Sequence, residues 1–217
     1  MKFGTVKLRK RELKLNNEEQ LEIFIPQDTG FICGIEFLKT ETLWANRVGF
    51  GLLSRLFGLA QQLRKNQCIY VPSNLTRKSR LYQEILSDYD FFDNLDIVLV
   101  NYRQLQISPQ KLHFYIKQKY YSESLVKLKV VQNEDGSENP VNFWERKNKM
   151  TVSKYGKMMI ISAEEKMFQV MRRSTFLFSK ITDEEIGQVG LYAHDHFDHK
   201  GENTAKSLGV TFRLWEE

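Results

Sequence analysis

The chain has 217 residues, of which 41% are hydrophobic and 27% charged, with 12 Gly and 4 Pro. That is enough for a sizeable hydrophobic core, and it excludes disordered, collagenous and linker-dominated classes. The formal net charge of +5 favours anionic partners over cationic ones, and two cysteines, Cys33 and Cys68, are too few for a disulfide scaffold.

Charge is uneven along the chain. Residues 1–16 hold six Lys/Arg against Glu12 alone, and residues 101–180 hold fifteen against seven acidic residues, while residues 181–217 are acidic. A basic N-terminal arm (Lys7, Arg9, Lys10, Arg11, Lys14) and a basic middle section together suit a phosphate backbone, where each neutralised phosphate releases a counterion. The arm lacks the apolar stretch of a secretory signal. The longest apolar stretch, residues 48–63, is interrupted by Arg55 and carries Ser54, Gln61 and Gln62. No membrane partner is expected, and a cytoplasmic location is.

In chain order, residues 5–15, 20–26 and 31–38 read as strands of an antiparallel meander, with a turn at 26–30. From Thr42 the spacing becomes helical through Leu43, Trp44, Val48, Leu52, Leu56, Leu59, Ala60 and Leu63, which predicts a helix over 42–65. A strand at 67–71, a helix over 74–87 and a strand at 95–100 form a βαβ unit, whose crossover rule predicts parallel strands. Ser108-Pro109 starts a helix reaching about residue 121. Strands follow at 125–132, 140–149 and 155–162, with Asp135-Gly136 as a hairpin turn. Ser162 with Glu165 three residues on makes a capping box for the next helix. A strand at 189–193, a short helix near 203–207 and a strand at 210–214 close the chain. The expected fold is α/β with a mixed sheet, a βαβ unit and antiparallel hairpin sections. It is read as one domain over 1–217, or as subdomains 1–104 and 105–217.

Three constellations carry chemistry. The first is His194-Asp195-His196-Phe197-Asp198-His199, which gathers three of the four histidines into six residues. Imidazole nitrogens with a carboxylate suit zinc or manganese, so His194, His196, Asp198 and His199 are candidate metal ligands. The HxHxDH spacing resembles the metal motif of the metallo-β-lactamase-like hydrolases. That resemblance implies a strand just before the motif and Asp198 as a carboxylate ligand of a second metal. No histidine follows His199 to complete the family's ligand set.

The second constellation is Asp135 with Glu145-Arg146-Lys147 across the expected hairpin. It resembles the restriction-endonuclease-like nuclease core, which implies Asp135 and Glu145 holding a divalent ion such as Mg²⁺ while Lys147 acts on water. The third is the sheet edge where Ser73, Asn74, Thr76, Arg77, Lys78 and Arg80 are expected to meet Asn101, Tyr102 and Arg103. A helix N-terminus at the carboxyl ends of parallel strands offers N–H groups to an anion, and Arg77, Lys78 and Arg80 add charge. No nucleotide-cofactor fingerprint is present. The function expected first is nucleic-acid contact, with divalent-metal nuclease chemistry added to it. A metal-dependent hydrolase centred on the histidine run and a non-catalytic subunit binding a protein partner are the alternatives.

Overall fold

The computed structural model describes residues 2–16, 19–27, 30–37, 40–76, 83, 94–102, 104–119, 121–132, 150–182, 194–197 and 210–214. Its strands are β1 (Lys2–Lys14), β2 (Gln20–Pro26), β3 (Ile32–Phe37), β4 (Thr40–Ala45), β5 (Gln67–Val71), β6 (Asn94–Asn101), β7 (Ser122–Gln132), β8 (Met150–Tyr155), β9 (Met158–Ala163), β10 (His194–Phe197) and β11 (Val210–Leu214). Its helices are α1 (Arg47–Ala60), α2 (Ser73–Thr76), α3 (Pro109–Ile116) and α4 (Glu165–Phe178).

The fold is α/β with a mixed sheet. Nine strands run in the order β10-β11-β4-β3-β6-β5-β2-β1-β7, and β9 joins β6 with β8 paired outside it. Strand β6 holds this arrangement together. Its first residues, Asn94 and Leu95, pair with β3, Ile97 to Leu99 pair with β5, and Asp96 to Asn101 pair with β9.

Alternation along the central strands sends side chains to two cores, one on each face. Leu95, Ile97 and Leu99 of β6 and Met159 and Ile161 of β9 join α1 and α4 in the larger core. There Phe57 stacks on Phe168 at 5.9 Å between centroids, and Phe50 meets Phe178 at 5.1 Å. Val98 and Val100 of β6, with Met158 and Ile160 of β9, face the smaller core, where Leu112 of α3 packs with Leu13, Leu21 and Ile23. Burial on both faces explains why β5 and β6 read as continuous apolar runs instead of alternating ones.

Several sequence expectations are corrected by this architecture. The predicted helix over 42–65 divides: Thr42, Leu43 and Trp44 belong to β4, and α1 begins only after Asn46, whose side chain accepts from the Gly49 N–H at 2.8 Å. Leu43 and Trp44 are both buried on a strand covered on both faces, and such a pair imitates helical spacing. The expected parallel βαβ unit is antiparallel, with Ile69 opposite Leu99 and Val71 opposite Ile97. An apolar run buried on both faces carries no sign of strand direction, and the crossover rule applies only once strands are parallel. Parallel pairs do occur, at β2·β5, β4·β11 and β6·β9, each across a longer connection.

The expected strand at 155–162 is β9, starting at Met158, and it is entered from the unexpected β8 by a turn at Gly156, which takes the left-handed conformation (φ +58°) the turn needs. Ser162 lies in β9 opposite Val100, so it is not a helix cap, and α4 starts from Glu164 with no side-chain cap bond. Helix α3 ends at Ile116 rather than near 121, because residues from Ser122 onward pair with β1. The apolar helix α1 is packed into the larger core. Among the described residues no helix is long and apolar enough to cross a membrane. The expected strands at 140–149 and 189–193, the helix at 203–207, the Asp135-Gly136 turn and most of the helix at 74–87 lie outside the described residues.

Candidate nucleic-acid interface

The basic arm is a strand, and strand geometry divides its charges between two faces. Lys10 points with Val6 and Leu8 toward the α1 side, where its ammonium pairs with the carboxylates of Glu12 and, at 3.0 Å, Glu22. The hydrogen bonds that Lys10 donates to Glu12 and Glu22 hold it above the ordinary ammonium range, and the bond from Lys10 holds Glu12 below the usual carboxylate range. Gln67 of β5 also donates to Glu22. Lys10 is therefore a member of a local ion cluster and is not free to meet a phosphate.

Lys7, Arg9 and Arg11 occupy the opposite face with Leu13. The antiparallel register of β1 and β7 sets Thr5 opposite Lys129, Lys7 opposite Lys127, Arg9 opposite Leu125 and Arg11 opposite Glu123. Directly opposed residues share a face, so Lys7, Lys127 and Lys129 stand together on one solvent-exposed surface. None of these three ammonium groups has a side-chain partner among the described residues. Leu125, 72% exposed, lies in the same patch.

Toward the α3 end of the strip the charge becomes balanced. Glu123 receives the Arg11 Nε–H at 3.1 Å and stands 3.7 Å from Arg9, bridging both guanidinium groups. The Arg11 guanidinium also lies over the Tyr121 ring, 4.2 Å from its centroid. Beyond Tyr121 a cleft of about 520 Å³ opens between α3 and the β1–β2 end, lined by Glu12, Leu13, Lys14, Phe114, Tyr115 and Tyr121 among others. Glu12 in this cleft accepts from the Ser122 hydroxyl at 3.2 Å as well as from Lys10.

The other sequence candidates are placed as follows. Ser73 and Asn74 lie at the start of β6, where the Ser73 N–H donates to Asp96 at 2.8 Å and Asn94 donates to the Ser73 carbonyl at 3.3 Å. Asn101 and Tyr102 lie at its far end, with Asn101 donating to the Gln61 carbonyl and the Tyr102 N–H to Ala163. The antiparallel β5·β6 pairing thus separates the two halves of the expected sheet-edge site. Arg77, Lys78 and Arg80 lie outside the described residues, as do Asp135, Glu145, Lys147, Asp198 and His199.

His194 and His196 are alternate residues of β10, opposite Arg213 and Thr211 of β11. The strand thus runs through the start of the histidine motif instead of ending before it. Among the described residues no three His, Cys, Asp or Glu side chains gather as a metal site.

The sequence pointed to Lys7, Arg9, Lys10 and Arg11 but not to Lys127 and Lys129. The alternation in Leu125-Val126-Lys127-Leu128-Lys129 places those lysines on the polar face of a strand. Only the pairing with β1, more than a hundred residues away in sequence, makes that face continuous with Lys7. Comparison of the chain with protein families, curated proteins and solved structures finds no match.

Proposed function

We propose that the protein binds nucleic acid through phosphate contacts on the β1/β7 face, with Lys7, Lys127 and Lys129 as the principal contacts and Arg9 beside them. The observation that carries this reading is the direct opposition of Lys7 and Lys127. Like charges placed opposite each other cost stability, and an anion bridging them reverses the sign of that interaction. The excess of basic residues over the whole chain supplies the longer-range attraction.

The test is a salt titration of binding to a labelled duplex and a labelled single strand. Affinity falls steeply with salt, and Lys127→Gln reduces the log–log slope by about 0.9 for a duplex or about 0.7 for a single strand. Glu123→Gln frees Arg9 and Arg11 and strengthens binding. Absence of binding to any nucleic acid at low salt refutes the reading and leaves a protein-binding subunit as its replacement.

Nuclease chemistry is the finer part of the proposal. It belongs to Asp135, Glu145 and Lys147, which lie in the sequence between β7 and β8. Incubating the bound nucleic acid with Mg²⁺ or Mn²⁺ tests it, and Glu145→Ala removes any cleavage observed.

A further inference from the structure

The cleft beside Tyr121 adds contacts of a different kind to the cationic strip. Phe114 on α3 is 60% exposed, although it is a large aromatic side chain. Its ring is 5.6 Å from that of Tyr115 and nearly perpendicular to it, at 71°. Both line the cleft with Tyr121, which carries Arg11 on its ring, so the cleft and the strip meet at the Arg11–Tyr121 contact. From Lys7 to Leu13 along β1 the two features extend over roughly 20 Å at the rise of an extended strand.

The side chains divide this surface between two kinds of ligand group. The strip near Lys7, Lys127 and Lys129 is cationic and open. The cleft instead is lined by Phe114, Tyr115 and Tyr121, and its charged lining residues are Lys14 and Glu12, the latter already engaged by Lys10 and Ser122. Its aromatic rings offer a planar uncharged group a stacking surface that the strip lacks. A double helix presents phosphates but keeps its base faces stacked, while a single strand offers phosphates and free base faces together.

We propose that the ligand is single-stranded nucleic acid, its phosphates lying along Lys7, Lys127 and Lys129 and one base stacking on Phe114 at the cleft. This inference rests on the phosphate-binding reading given above. The aromatic surface provides base stacking without sequence readout, so the site accepts DNA and RNA strands with little preference for one base over another.

The experiment is fluorescence anisotropy with the full chain at low salt. The probes are a short oligothymidylate, its oligouridylate counterpart, an abasic sugar-phosphate strand of equal length and a blunt duplex. Oligothymidylate binds more tightly than the abasic strand by about 5-fold to 100-fold, the range of one stacked base. Phe114→Ala brings oligothymidylate down to the abasic level, and Phe114→Trp restores the difference. Lys127→Gln weakens the base-bearing and abasic strands by the same factor. Equal affinity for the abasic and base-bearing strands, or a preference for duplex, overturns the single-strand inference while leaving phosphate binding in place. No binding to any of the four probes overturns both readings. Since Phe114 is exposed, its replacement is checked for folding by an unchanged urea midpoint.

Discussion

Gly49 lies against the carbonyl oxygen of Phe31 so closely that a β-carbon at position 49 would stand 2.1 Å from it. The same carbonyl accepts the Asn46 N–H at 3.3 Å, so the entry to β3 and the first turn of α1 are fixed to one another. Gly51, two residues on, has its nearest neighbour at 3.7 Å, an ordinary contact with Ser179. Gly49→Ala is expected to destabilise the fold by about 3 kcal/mol, because backbone must move to admit the methyl group. Gly51→Ala is expected to stabilise it by up to about 1 kcal/mol through helix propensity alone. Urea denaturation of the two variants checks the pair, and equal effects would show that the close approach at Gly49 has no energetic weight.

The opposition of Lys7 and Lys127 gives a second prediction, in which stability and binding move in opposite directions. Lys7→Glu replaces a repulsive cross-strand pair with an attractive one and raises stability by about 0.2–1 kcal/mol. The same substitution removes one phosphate contact and adds a repulsive charge, so nucleic-acid affinity falls. A denaturation curve and a binding curve on one preparation read both effects. A variant that loses stability and retains affinity would remove Lys7 from the interface.

The polar cluster on the other face of β1 makes the third prediction, for pH. Glu12 is held below its ordinary value of 4.5 by its hydrogen bond from Lys10, so its contribution to stability is present above that value and disappears as pH falls through the folded-state pKa. Lys10 is held above 10.5 by Glu12 and Glu22, so its contribution is complete below that value and is lost as pH rises through the folded-state pKa. Glu12→Gln therefore costs about 0.2–1 kcal/mol at neutral pH, the range for a partly exposed pair. The urea midpoints of the variant and the unaltered protein converge in acid. A constant difference at all pH values would show that Glu12 acts through packing rather than charge.

A fourth prediction concerns the thiols. Cys68 is buried in the smaller core, and that burial pushes its thiol up to about 12. Cys33 is also buried, its sulfur donating to the Asn94 side-chain oxygen at 3.2 Å. Both remain unreactive toward a disulfide-exchange reagent near neutral pH and react together on unfolding. Rapid modification of either thiol in the native protein would contradict the packing described for that residue.

Local signals made much of the fold legible in the sequence. Residues 20–26 and 67–71 read correctly as strands, and Ser108-Pro109 marked the start of α3, where the Ser108 side chain caps the Lys111 N–H. What escaped was decided by partners far away in the chain. Strand β5 runs antiparallel to β6 while β9 runs parallel to it, and neither apolar run records a direction. The candidate interface was legible only by halves for the same reason: the charges of β1 are visible at once, but their meeting with Lys127 and Lys129 depends on a register that no local pattern encodes. Alternation on β1 did contain one further fact, that Lys10 must part from Lys7, Arg9 and Arg11, and reading the arm as a simple charge cluster obscured it.

The pairing of β1 with β7 also has a consequence for synthesis on the ribosome. Lys7 must wait for Lys127 to emerge, a separation that translation at about 5–20 residues per second covers in roughly 6–24 s. Until β7 is made, β1 has its β2 partner in the chain but no partner for its other hydrogen-bonding edge. Such an edge recruits stray strands unless something discourages them, and lysine and arginine side chains along it do so by mutual repulsion between nascent chains. The charges that suit an anionic ligand in the finished protein therefore also guard the growing polypeptide, so neutralising them should lower the yield of correctly assembled chains even where the mature fold gains stability.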